Sequence, residues 1–135
     1  MESNWLTESR KKNRIKFTEL PLPSEREEAW RYTDLSAMNL KFEPSKDSSV
    51  SIESDNDNII AEDFATALKK HPAIAEKYFA KILPQNDKIS AFHLASSSDG
   101  VLIFVPKNES GSVFVAFENC NAHNIIILEA GARLV

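Results

Sequence analysis

The sequence has a single cysteine, Cys120, so no disulfide can close within the chain, which fits a reducing compartment. Its three glycines, Gly100, Gly111 and Gly131, are scattered. None belongs to a glycine-rich loop able to cradle a phosphate, which argues against a nucleotide-hydrolysing domain. No apolar run approaches the roughly 20 residues needed to span a bilayer. Met1-Glu2-Ser3-Asn4 lacks the basic-then-apolar order of a signal peptide. Together these absences predict a cytoplasmic protein. Positive charge is not in excess either. Sixteen Lys and Arg against 20 Asp and Glu give a net charge of −4, so the whole chain has no pull toward nucleic acid or anionic membranes. The balance is uneven, with eight basic and seven acidic side chains in residues 1–41 and eight and thirteen in 42–135.

With 135 residues and 42% hydrophobic content, the chain can build one domain with a real core. Ser3 to Leu20 reads as a weakly amphipathic first helix anchored by Trp5, Leu6, Phe17 and Leu20. Pro21 and Pro23 end it, because proline cannot continue the hydrogen-bond ladder. Ser24 to Glu27 has the spacing of a capping box and predicts a short helix through Trp30. Residues 43–58 are rich in Pro44, serines, Asp and Asn and read as a linker, with one short strand where Val50 and Ile52 alternate with serine.

Glu62 and Asp63 open the next helix and Lys69 and Lys70 close it, each matching the helix dipole. Pro72 suits the first turn of another helix, in which Ile74, Tyr78 and Ile82 form one row and Ala75, Phe79 and Leu83 the next. Asp87 is placed to cap a further helix carrying Ile89, Phe92 and Leu94. Beyond Gly100 three apolar runs follow, Val101 to Val105, Val113 to Phe117 and Ile125 to Leu128, with starts 12 residues apart. Their β-branched and aromatic residues predict strands. The spacing fits a sandwich, a barrel or a β-solenoid, and three units do not choose among them. The runs are apolar on both faces, with Leu102, Phe104, Phe114 and Ile126 on one side, so cover is expected on both. A further strand begins near Leu134-Val135. We therefore expect more protein, or another chain, to complete the sheet.

No set of residues reads as a reactive centre. His71, His93 and His123 lack metal-site partners at the usual spacings and read as capping or surface residues. Cys120 has His123 three residues on, but no third orienting group is recognisable, so an inert turn cysteine is the preferred reading. Arg10, Lys11, Lys12, Arg14 and Lys16 spread around a helix circumference beside Glu8 and Glu19, as on a solvated helix rather than a nucleic-acid patch. No pair of carboxylates sits in an apolar setting. We predict no catalytic, cofactor-binding or metal-ligating residue, and no enzyme.

One resemblance stands out. Pro21-Leu22-Pro23-Ser24-Glu25-Arg26-Glu27-Glu28-Ala29-Trp30-Arg31-Tyr32-Thr33-Asp34-Leu35 resembles the N-terminal signature of the SufB/SufD family, whose SufD-like members carry a preceding helix with a pair like Trp5-Leu6. His71-Pro72 with Glu76-Lys77-Tyr78 is similar to the family's next helical segment. Asp99 to Lys107 and His123 to Ala132 resemble its first β elements, in the family's order. Where the family often has glycine after Val-Pro-Lys, this chain has Asn108, which tolerates the left-handed conformation.

The resemblance implies an α+β fold in which a small helical N-terminal region leads into the first turns of a right-handed parallel β-helix, a β-solenoid. The expected organisation is a helical segment over 1–42, the linker over 43–58, a helical segment over 59–96 and the start of the β core over 97–135. It also implies the N-terminal portion of a SufD-like scaffold in SUF iron–sulfur cluster assembly. The full-length protein would act with SufB-like and SufC-like proteins, SufC being the ATPase, and self-association is allowed. No cofactor is implied in this chain; for the full family complex an iron–sulfur cluster is implied and a flavin allowed. Trp30 and Tyr32 are expected to pack the helical region on the β core. The alternative is a stand-alone β-rich binding module with a helical N-terminal extension.

Overall fold

The computed structural model describes residues 4–38, 40–42 and 47–135. Ser3, at the expected start of the first helix, and Pro44, Ser45 and Lys46, expected among the turn-formers, lie outside the described residues. The chain divides into two compact units, Met1–Pro44 with Ile82–Ser96, and Ser45–Lys81 with Ser97–Val135.

The first unit is helical. Helix α1 (Asn4–Glu19) runs through good helix formers until the prolines at 21 and 23 stop it. Leu6 and Asn13, two turns apart, are buried on the face that meets helix α4 (Lys88–Ser96). Asn13 turns its amide inward along the helix, its Nδ2 donating to the Ser9 carbonyl at 2.9 Å. Asp87 caps α4 as the sequence predicts: its carboxylate accepts from the backbone N–H of Ile89 (2.9 Å) and of Ser90 (2.8 Å), and from the Ser90 hydroxyl (2.6 Å). Ala91, Leu94 and Ala95 form the buried stripe of α4. At the other end of the pair, the Phe17, Phe42 and Phe92 rings meet with centroids 5.0–5.8 Å apart. Arg14 lies over Phe42 at 4.6 Å and Lys88 over Phe17 at 4.5 Å. The capping-box segment forms only one 3-10 turn, Glu28–Trp30. One arm of the box is present, with Glu27 Oε1 accepting from the Ser24 backbone N–H at 3.0 Å.

The second unit carries β1 (Ser49–Ser54), β2 (Ile60–Asp63), β3 (Val101–Val105), β4 (Ser110–Gly111), β5 (Val113–Glu118), β6 (Ile125–Leu128) and β7 (Arg133–Leu134). Helices α2 (Phe64–Lys70) and α3 (Pro72–Tyr78) lie between β2 and β3 in sequence. Among the described residues, the strands form three small sheets, β1-β5, β2-β3-β6 and β4-β7. In β1, Val50 and Ile52 alternate with serine, and this alternation matches β5, where Ile52 stands opposite Val115. Both rows turn toward a core of Ile59, Val101, Ile103 and Val105. A second cluster stacks Phe64 on Phe79 at 5.9 Å, with the His123 ring 4.6 Å from Phe79.

The class is α+β with a helical N-terminus, but the expected right-handed parallel β-helix is not what the strands make. β1 pairs antiparallel with β5 and β2 antiparallel with β3. Among the described residues, only β3-β6, β4-β7 and the Asp99–Ala122 bridge are parallel, and each joins residues 23 apart in sequence. The equal 12-residue spacing of the apolar runs therefore does not mark equivalent strands. The first and third runs pair with each other, while the middle one joins a different sheet. The physical cause lies in residues 49–63, whose two strands occupy sheet edges and run against β5 and β3.

Helix α3 is shorter than its apolar stripe predicts. It ends at Tyr78; Phe79 is already extended and Ala80 has φ +53°. The row through Ala75 and Phe79 is buried, whereas Ile82 is 95% exposed and the expected Ile74–Tyr78–Ile82 row is broken.

Candidate interaction surface

Ile15 of α1 is exposed, and a larger part of the sheet surface is open as well. β3 is covered on both faces, with Val101, Leu102, Ile103 and Val105 all buried. β5 and β6 are covered on one face only. Val113 and Val115 are half-buried while Phe114 between them is 65% exposed. Ile125 is buried while Ile126 and Leu128 stand half-exposed. Phe114, Phe117, Asn124, Ile126, Leu134 and Val135 line a cleft of about 470 Å³ whose floor includes Val101 and Ile103. Among the described residues, no charged side chain lines it. β6 is also the edge of its sheet, so its outer backbone groups lie beside the same apolar patch. Covering Phe114 and Ile126 alone would remove roughly 200 Å² of apolar surface from water, a gross gain of about 5 kcal/mol. A patch of this kind on a protein surface marks a place where something packs.

The residues weighed for chemistry are employed elsewhere. Cys120 Sγ lies 3.2 Å from the Ser49 carbonyl and 3.1 Å from the Glu118 carbonyl, donating to backbone oxygen. His123 is buried rather than lying in an open turn, and its Nε2 accepts the Ala80 backbone N–H at 3.3 Å. The Cys120 thiol and His123 Nε2 thus each serve a different backbone contact. His71 works through its main chain, its N–H donating to the Ala67 carbonyl at 2.8 Å where α2 gives way to α3. His93 is half-buried in α4. Among the described residues, no three His, Cys, Asp or Glu side chains stand together as a metal-holding group. No described helix is long and apolar enough to cross a membrane.

The basic run of α1 is partly consumed by the fold. Arg14 covers Phe42, Lys16 Nζ donates to the Gln85 carbonyl at 3.2 Å, and Lys11 pairs with Glu8 at 3.3 Å. In the Trp30–Leu35 segment, Trp30 is half-buried but Tyr32 is 90% exposed, with Arg31 over its ring at 5.6 Å. Asp34 is held below the usual carboxylate range by the Ser36 hydroxyl and then by the Ser36 backbone N–H, which lies 2.9 Å from Oδ1.

Two features carry little sequence signal. The clustering of Phe117, Leu134 and Val135 with Phe114 and Ile126 depends on which strands pair, and the pairing is set at long range. The burial of His123 depends on the turn after α3, where Ala80 rather than glycine or asparagine takes the left-handed conformation.

Comparison with known proteins locates the chain. Residues 38–112, more than half of it, match the SufBD protein N-terminal region. The match runs from just before β1 through β4, and so begins after the Trp30–Leu35 segment. No curated protein matches the chain. By the extent of that family match, the chain belongs to the SufBD protein family, as part of its N-terminal region.

Proposed function

We propose that this chain is the N-terminal portion of a non-catalytic, SufD-like scaffold subunit in SUF iron–sulfur cluster assembly, working in the cytoplasm with a SufB-like partner and the SufC-like ATPase. The observation that carries the reading is the family match over residues 38–112. The open face of the second unit supports it: an uncharged apolar cleft beside a strand edge suits packing against polypeptide rather than turning over a substrate. The iron–sulfur cluster enters as the product of the assembly, and no residue of this chain is assigned to it or to a flavin. Affinity purification of the natural gene product with SufB and SufC homologues tests the partners. A stable complex is expected, and failure of both to co-purify defeats the reading.

A second reading keeps the chain as a binding module for a small apolar ligand, because a cleft of about 470 Å³ lies in the range of small-molecule sites. Light scattering separates the two. A monodisperse monomer of the isolated 135-residue chain favours the module. Self-association or a partner-dependent state favours the scaffold.

A further inference from the structure

We draw no further inference here: the strongest candidate, the apolar cleft between β5 and β6 lined by Phe114, Phe117, Ile126 and Val135, belongs to the surface already described, and nothing in the structure shows what covers it.

Discussion

Replacing Gly100 with alanine places a methyl group where the backbone leaves no room. The new Cβ would stand 2.0 Å from the His123 carbonyl oxygen, 2.7 Å from its carbon and 2.9 Å from its nitrogen. An ordinary carbon–oxygen approach is about 3.3–3.6 Å, so one segment must shift by roughly 1.3 Å or more. Neither segment yields easily. The His123 N–H donates to the Asp99 carbonyl at 2.9 Å, and the Gly100 carbonyl accepts the Phe64 N–H at 2.9 Å at the start of α2. Gly100 also has φ +138°, which an L side chain rarely adopts. Backbone strain of about 1–3 kcal/mol, overpacking of about 1–3 kcal/mol and a weakened hydrogen bond of about 1 kcal/mol together give about 3–7 kcal/mol. With a urea slope near 2 kcal/mol/M, the midpoint of the far-UV circular dichroism transition should fall by about 1.5–3.5 M. Gly131→Ala is the comparison. Its Cβ would meet Asn108 Oδ1 at 2.3 Å, but that is a side-chain atom able to swing aside, and the Asn108 Cα lies at 3.7 Å. Its positive φ still costs about 1–2 kcal/mol. Equal losses for the two variants, or a Gly100→Ala shift below about 0.5 M, would refute the reasoning.

Substitutions at three other positions test the same structure. Asp63→Ala removes the bonds to the Thr66 backbone N–H (2.9 Å) and hydroxyl (2.6 Å) at the start of α2, and should cost about 0.5–2 kcal/mol by urea unfolding at pH 7. Burial, the largest influence on the Asp63 carboxyl, pushes its pKa up, but the Thr66 hydroxyl and N–H groups around the cap together pull it lower. A folded pKa below the unfolded one means that the carboxylate's contribution is present above about pH 4 and is lost as pH falls through the folded value. Asp63→Asn, which keeps a capping oxygen, should remove that acid-side dependence at little cost near pH 7; an unchanged acid limb would contradict it. Asn108 sits at φ +62°, so Asn108→Gly should leave stability equal or raise it slightly, while Asn108→Val lowers it by about 1–2 kcal/mol in thermal unfolding. Ile126→Lys, at a position 53% exposed, should shift the unfolding free energy by no more than about 0.5 kcal/mol yet reduce partner association in pull-downs; unimpaired association would remove the cleft from the interface.

What the residues disclose locally, the structure keeps. Asp87 and Asp63 sit where a carboxylate satisfies unpaired N–H groups, and both cap their helices. The runs at 101–105, 113–117 and 125–128 are dense in β-branched and aromatic residues, and all three are strands. Asn108 takes the left-handed conformation expected of it after Val-Pro-Lys. The failures are of another kind. Ile60–Asp63 forms strand β2 because β3 offers an edge there, yet its Glu62-Asp63 end also looks like a helix start, and Asp63 does both. Strand order and direction depend on contacts between Ser49–Ser54 and Val113–Glu118, some 60 residues apart, which no local pattern encodes. Exposure of Phe114 and Ile126 is the part of the candidate surface that was half legible. Their alternation along the strands puts them on one apolar face with Leu102, but only the pairing shows that Leu102 is buried while these two are open.

The most direct test of the scaffold account is quantitative co-purification of the natural full-length protein with SufB and SufC homologues, followed by mass measurement of the complex. A defined complex containing this subunit is expected, weakened by Ile126→Lys. Recovery of the protein alone, with neither homologue bound, would contradict it.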